Sequence, residues 1–162
     1  MEMESWDDEE EAPSEPLSAI FNHSANSEPT SYAIQYPRSN RINRITLIND
    51  DVFDITALTF EAEGKVYVCL KDLIRQLDIM WNMQYLKIKD QLAVGIDRYQ
   101  LKRFRVPVAQ NSVRVVVCLP LENLSIYLHS ISFMRMGTHE KRLLLIWMQD
   151  NAQEIIEQYY GL

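Results

Sequence analysis

The fold of this chain is decided by a β-rich run that continues directly into a helical one, Gly64-Lys65-Val66-Tyr67-Val68-Cys69-Leu70-Lys71-Asp72-Leu73. Val66 to Cys69 consists of the β-branched, aromatic and apolar residues typical of a strand, and Gly64 can take the positive φ of a turn before it. Apolar residues then recur at helical spacing, at Leu70, Leu73, Ile74 and Leu77. The chain is therefore predicted to pass from a strand into a helix without a spacer.

A second helical pattern starts near Trp81. Its apolar stripe follows the spacing i, i+4, i+7 and i+11 through Trp81, Tyr85, Ile88 and Leu92. The opposite face is polar and partly basic, with Gln84, Lys87 and Gln91. A short helix, a tight turn around residues 77–80 and a second helix of this kind form the outline of a helix-turn-helix. Two packed helices with no role in DNA binding explain the pattern equally well.

Strand-like runs lie on both sides of these helices. Upstream, residues 41–48 alternate in character, Asn49-Asp50-Asp51 forms a turn cluster, and Val52 to Phe60 is predicted as the next strand. Downstream, residues 103–108 and 113–119 are predicted as a hairpin. Pro120 is then predicted to open a short helix at its first turn. The predicted class is α+β: a small antiparallel sheet of β-hairpins packed with the helix-turn-helix-like pair and two C-terminal helices.

The last helix is predicted from about Thr138 to Tyr160, with Thr138 as its N-cap and Gly161 just past its end. Its segment from Leu143 to Met148 is apolar nearly all round, which is wider than one core-facing stripe requires. Either the helix lies between the sheet and other helices, or part of it packs on another subunit. The candidate face for a homo-oligomer consists of Leu144, Trp147, Met148, Ile155 and Tyr159.

The charge of the chain is unevenly distributed. The 162 residues carry a net charge of −7, yet eight of the 23 acidic residues precede Leu17, where there is no lysine or arginine. The remainder has 15 acidic residues against all 16 basic ones, which is nearly neutral. Residues 1–40 are also poor in apolar side chains and are predicted as an acidic, largely disordered N-terminal extension. Residues 41–162 are predicted as a single domain.

Several classes of protein are excluded or disfavoured by the composition. No apolar run approaches the roughly 20 residues that span a bilayer, so no contact with a membrane is expected. The two cysteines, Cys69 and Cys118, are too few for a disulfide framework or a structural zinc site, and they are read as reduced core residues of a cytoplasmic protein. The four glycines form no phosphate-binding loop, and the three histidines have no metal-ligand spacing. We therefore expect no catalysis, no metal and no cofactor.

Basic residues are concentrated between Gln84 and Arg105. This segment has a local charge of about +4 and includes aromatic residues. Such a patch is suited to contact DNA phosphates, an acidic partner or the acidic extension of the chain itself, and an ordinary solvated face is the alternative. The candidate binding residues are Gln84, Lys87, Lys89, Gln91, Arg98, Lys102, Arg103 and Arg105.

Four motifs follow one another along residues 55–160: Gly64-Lys65-Val66-Tyr67-Val68, then Leu77-Asp78-Ile79-Met80-Trp81-Asn82-Met83-Gln84 followed by Lys87-Ile88, then Val117-Cys118-Leu119-Pro120-Leu121, and the last helix. In their order and spacing they resemble a known family, the N-terminal domain of temperate-phage antirepressors, which is related to the BRO and KilA amino-terminal domains. Asp78 departs from the family pattern, which has a glycine between the two helices. The turn is therefore expected to close without that glycine.

The resemblance implies a phage or prophage regulator in the cytoplasm of a bacterial host, which binds a transcriptional repressor and blocks its operator binding. It also implies a homo-oligomer. Independently of the resemblance, the acidic run at Asp7, Asp8, Glu9, Glu10 and Glu11 is a candidate mimic of DNA phosphates that competes for a basic repressor surface. Two other functions stay open: direct DNA binding by the helix at about residues 81–92, and inhibition of another host or phage factor.

Overall fold

A computed structural model describes residues 34–35, 42–109 and 112–162 of the chain. The strands are β1 (Ile34–Gln35), β2 (Asn43–Asn49), β3 (Asp54–Ala62), β4 (Lys65–Cys69), β5 (Lys102–Ala109) and β6 (Ser112–Pro120). The helices are α1 (Leu70–Gln76), α2 (Trp81–Ala93), α3 (Leu124–His129) and α4 (His139–Tyr159). The predicted α+β class is thus confirmed, and the predicted strand-to-helix passage is the junction of β4 and α1.

The six strands form one sheet in the order β1-β5-β6-β4-β3-β2. Strands β2 to β6 pair antiparallel, and the two residues of β1 add a short parallel strand to β5 at the outer edge. Because side chains alternate between the faces of a strand, the sheet separates its buried residues into two clusters. One cluster includes residues of all four helices, and we call this side the helix face.

The opposite side, which we call the second face, is built by strand residues. Its buried cluster consists of Leu58, Phe60, Ala62, Tyr67, Cys69, Phe104, Val106, Val116 and Cys118, with Ile42 packed against it. The rings of Phe60, Tyr67 and Phe104 form its centre, with the Phe104 ring centroid 5.0 Å from that of Phe60 and 4.8 Å from that of Tyr67. The described helices contribute their buried apolar residues to the helix-face cluster instead.

Helix α1 directly follows β4 and lies between β3 and β6, the two strands that pair with β4. Strand β4 pairs with β3 only from Thr59 onward and with β6 only beyond Val117, so both neighbours extend past its end. On one side the Gln76 amide both accepts from the Thr56 N–H (2.8 Å) and donates to the Thr56 carbonyl (2.7 Å). On the other side Arg114 pairs with Asp72 at 2.9 Å. The helix thereby satisfies the backbone N–H and carbonyl of Thr56, which β4 leaves unpaired.

Two boundaries differ from the sequence prediction. The strand predicted from Val52 begins at Asp54, because the Asp50 carboxylate accepts the N–H groups of Val52 (2.8 Å) and Phe53 (2.7 Å) and holds them in a turn. These two hydrogen bonds also lower the pKa of Asp50. Pro120 does not open a helix but ends β6, and a 3₁₀ turn at Leu121–Asn123 precedes α3. The predicted inward residues are nevertheless buried: Leu121, Leu124, Leu128 and Ile131.

Helix α4 is fixed at both of its ends. At its start Thr138 is the N-cap, and its hydroxyl accepts the Lys141 N–H at 3.2 Å, as predicted. At its end the Tyr160 hydroxyl accepts from the Asn43 amide at 2.8 Å and lies 2.7 Å from the hydroxyl of buried Thr59. The end of the chain is thereby bound to β2 and β3.

The turn between α1 and α2 closes on a left-handed residue. Asp78 has a φ of 60°, so it takes the conformation that glycine adopts without steric cost. Its carboxylate lies 3.2 Å from the Lys141 ammonium. The departure from the family glycine is therefore accommodated by backbone strain in an aspartate, which tolerates this region better than most residues do.

Asp78→Gly is expected to raise the free energy of unfolding by about 0.5–1 kcal/mol, because relief of the left-handed strain outweighs an exposed ion pair. Urea unfolding measures the change. Asp78→Asn is the control, since it keeps a short side chain that tolerates positive φ while removing the charge. A glycine variant less stable than the asparagine variant would show that strain relief is not the dominant effect.

Candidate partner-binding surface

Part of the predicted basic surface lies on the outer face of α2. Lys87 and Lys89 are exposed, and the Lys89 ammonium lies 5.8 Å from the centroid of the Tyr85 ring. Gln91 is half-buried. Gln84 is turned to the body of the protein, where its side-chain oxygen accepts from the Tyr127 hydroxyl at 3.1 Å. Burial, together with nearby Tyr99, raises the pKa of Tyr127, so this hydroxyl keeps the proton that it donates.

The remaining predicted cations do not join this face. Arg103 and Arg105 are only 6% and 4% exposed. They lie opposite Val117 and Val115 in the register of β5 and β6, which directs both to the helix face. Lys102 lies opposite Cys118 and therefore points to the second face, where it contacts Glu63 at 3.0 Å and lies 5.8 Å from the Tyr67 ring centroid. Arg98 is exposed in the loop before β5.

The electrostatics of Lys102 differ from those of a free surface cation. Burial alone lowers the pKa of this ammonium, but its contacts with Glu63 and Tyr67 raise it above the usual value. Its charge is thus directed at a carboxylate of the chain itself. The predicted patch is therefore divided among α2, a loop and both faces of the sheet, and its exposed cations are Lys87, Lys89 and Arg98.

The candidate oligomer face on α4 is also divided. Leu144 and Met148 are buried in the protein's own helix-face core, so the prediction that they face another subunit is wrong. Trp147 and Ile155 are half-buried and pack against the same core. Tyr159 is exposed. The most exposed apolar residues of the Leu143–Met148 run are Leu143 (53% exposed) and Ile146 (38% exposed).

Sequence reasoning missed a cleft lined by arginines on the second face. Arg44, Arg75 and Arg114 come from β2, α1 and β6 and surround a cleft of about 610 Å³. Its apolar wall includes Ile42, Leu58, Cys69, Val106 and Val116, so it adjoins the second-face cluster. Among the described residues that line the cleft, Asp72 is the one carboxylate, and it is paired with Arg114. The cleft combines apolar surface with a positive rim.

A second cleft, at the far end of β3 and β4, has the opposite charge. Its volume is about 640 Å³, and Lys65 is the one cation among those lining residues that the structure describes. Lys65 lies 3.9 Å from Glu122. The carboxylates that line it are Glu61, Glu63, Glu122 and Glu157. The body of the protein thus presents two clefts of opposite charge, although its net charge is close to zero.

The two cysteines lie opposite each other on β4 and β6. Both are buried, and their Sγ atoms are 3.7 Å apart. Within residues 34–35, 42–109 and 112–162, no group of three or more His, Cys, Asp or Glu side chains is placed to hold a metal ion. None of the described helices has both the length and the apolar character needed to cross a bilayer.

These features define an α+β module whose helices cover one face of an antiparallel sheet, with charged clefts at its rim. A family model for the P22_AR N-terminal domain matches residues 50–161, which is more than half of the chain. The chain therefore belongs to this family of phage antirepressor N-terminal domains, as its motifs predicted. No curated protein and no solved structure gave a significant match. The match begins after β2 and leaves the acidic N-terminal segment outside it.

Proposed function

We propose that this protein is an antirepressor that binds a transcriptional repressor and prevents it from holding its operator. The observation that carries the proposal is membership in the phage antirepressor family, which assigns the chain a regulatory role in a phage. We propose further that it acts by protein contact, without catalysis or a cofactor, in the cytoplasm of the bacterial host. The division of the predicted basic patch supports contact with protein rather than with DNA, since extended phosphate contact needs a continuous positive surface.

The acidic run Asp7–Glu11 supplies a candidate means of competition. A repressor must present a positive surface to its operator, and five consecutive carboxylates offer that surface a negative partner. This run lies outside the residues that the structure describes. Electrostatic attraction of this kind mainly accelerates association and weakens as salt is added. The proposal therefore predicts that displacement of the repressor from its operator depends on ionic strength.

A mobility-shift competition tests the proposal. A repressor recovered by pull-down from a lysogen is bound to its operator DNA, and the full-length protein is titrated in. We expect loss of the repressor–operator band without any band of this protein on DNA. An undiminished repressor band at saturating protein would contradict the antirepressor function.

The role of the acidic run has its own matched pair of variants. Neutralising Asp7, Asp8, Glu9, Glu10 and Glu11 to the corresponding amides is expected to weaken repressor binding at least about tenfold at low salt, and less at high salt. The control neutralises five exposed carboxylates of the body, Asp51, Asp90, Glu140, Asp150 and Glu154. Equal loss in both variants would reflect net charge alone and would contradict a specific role of the run.

The second candidate function is direct DNA binding through α2. It is favoured by the exposure of Lys87 and Lys89 on the outer face of this helix. If it holds, the protein shifts DNA on its own, its affinity falls steeply with salt, and Lys87→Ala or Lys89→Ala weakens it further. Recovery of a partner that is not a repressor would instead favour inhibition of another host or phage factor.

We also propose that the protein forms a homo-oligomer through the exposed part of α4. Leu143 and Ile146 are spaced by three residues and lie on one side of the helix, where they expose apolar surface. Sedimentation velocity of the Leu143→Glu and Ile146→Glu variants tests this assignment. An unchanged oligomeric state in both variants would exclude this side of α4 as the interface.

A further inference from the structure

The second face of the sheet carries a buried apolar cluster that the described helices do not cover. Phe60, Phe104 and Cys118 are fully buried and Tyr67 and Val116 nearly so, yet the described helices pack on the helix face. Aromatic and aliphatic side chains of this size do not remain on an open sheet surface in a soluble domain. Ile42, the residue that precedes β2, packs against the cluster. Ile42 therefore extends the apolar cluster to the β2 edge of the sheet.

The connection between β1 and β2 spans the full width of the sheet. These strands are the two outermost ones in the order β1-β5-β6-β4-β3-β2, so five inter-strand spacings separate them. At about 4.8 Å each, the lateral distance is about 24 Å. Gln35 is level with Val116 through Phe104, whereas Asn43 is level with Leu119 through Thr59 and Val68. The offset of three residues along the strands adds about 10 Å, for a direct span of about 26 Å.

The segment that joins β1 to β2 is barely long enough for this span. Gln35 and Asn43 are eight residues apart, and a fully extended chain covers at most about 3.6 Å per residue, or about 29 Å. A path around either end of the sheet is longer than that. A path over the helix face would have to pass through the layer of α1, α2, α3 and α4. The second face is the remaining route.

We propose that the second face is a docking surface for the chain's own N-terminal segment, and that residues 36–41 cross it in an extended course and cover the apolar cluster. The sequence of this segment, Tyr36-Pro37-Arg38-Ser39-Asn40-Arg41, suits that course. Proline fixes its own φ in the extended region and biases the residue before it to the same region. Tyr36 supplies an aromatic side chain for the cluster.

The crossing has a consequence for partner binding. It occupies the surface beside the arginine-lined cleft, since Ile42 and Val116 line that cleft as well. An external partner therefore meets the rim of the cleft and not the apolar face beneath the segment. β1, which the acidic residues precede in the sequence, pairs with β5 at the outer edge of the sheet. This inference concerns the chain's own packing and does not depend on the proposed function.

The length of the segment provides the test. Deleting Ser39 and Asn40 leaves six residue steps, or at most about 22 Å, which cannot join paired β1 to paired β2. We expect amide exchange to accelerate at least tenfold at whichever of Arg103 and Phe104 directs its N–H to β1, since the other faces β6. We also expect Cys69 and Cys118 to react at least tenfold faster with a thiol reagent. Deleting Asn26 and Ser27, which precede β1, is the matched control and is expected to change neither rate. Unchanged exchange and thiol reactivity in the Ser39–Asn40 deletion would overturn the proposal.

A second measurement uses a full-length chain with no deletion. The midpoint of the crossing lies between β6 and β4 near the level of Cys118 and Cys69, the chain's only cysteines. Ser39→Cys or Asn40→Cys, whichever faces the sheet, is expected to form an intramolecular disulfide with Cys69 or Cys118 on mild oxidation, detectable by peptide mass spectrometry. The control, Ser27→Cys, is expected to give none. Absence of the disulfide in both test variants would contradict the crossing.

Discussion

Met148→Ala is expected to lower the free energy of unfolding by about 2–5 kcal/mol, the usual cost of removing a fully buried methionine side chain and leaving a cavity. Met148 is completely buried, and its neighbours in the core include Leu144, Leu145 and Ala152 on the same helix. A loss of this size is a large part of the stability of a typical domain. Urea unfolding followed by circular dichroism measures this loss. The slope of the transition is compared between Met148→Ala and the unsubstituted protein, to confirm that the two unfold in the same way.

Ile146→Ala is the matched control for Met148→Ala. Ile146 lies two residues away on the same helix but is 38% exposed, so its truncation is expected to cost less than about 1 kcal/mol in the monomer. The two variants separate the core side of α4 from its outer side. Similar losses at low protein concentration would contradict this assignment, whereas a concentration-dependent loss in Ile146→Ala alone would locate Ile146 in a subunit interface.

Phe104→Ala is expected to cost about 3–5 kcal/mol and to leave a population of unfolded chain at 37 °C. The Phe104 ring makes edge and tilted contacts with the rings of Phe60 and Tyr67, and such aromatic pairs add to the free energy of burial. Because β5 pairs with both β1 and β6 at this position, loss of the ring also weakens the centre of the second face. Thermal unfolding monitored at two wavelengths measures the change.

The control for Phe104→Ala is Phe133→Ala. Phe133 lies in the 3₁₀ turn before α4 and is 42% exposed, so its removal is expected to cost less than about 1 kcal/mol. A Phe104→Ala variant as stable as this control would show that the second-face cluster is not a core. It would thereby remove the reason for a cover over that face.

The fold could be predicted from the sequence because its elements have strong local periodicity. The strand-to-helix junction at Cys69–Leu70 and the stripe from Trp81 to Ile88 both depend on spacings that survive in the folded protein. Boundaries were less predictable where a side chain intervenes. Val52 has the propensity of a strand residue, but the Asp50 carboxylate takes its N–H, and no propensity scale includes that hydrogen bond.

The candidate surface was harder to predict because nearness in sequence is not nearness on a surface. Lys102 and Arg103 are adjacent, yet strand alternation places them on opposite faces of the sheet. Conversely, Arg44, Arg75 and Arg114 come from three separate elements and share one cleft. Their proximity depends on the position of α1 between β3 and β6, which no local pattern encodes.

The positions of β1 and β2 determine which strand edges the protein presents to other molecules. Both strands precede the matched region, and they occupy the two outermost positions of the sheet. A chain that began at residue 50 would present the backbones of β3 and β5 as open edges, ready to pair with strands of other molecules. Both strands are edge strands themselves, and β1, with two residues, leaves few backbone groups open to such pairing.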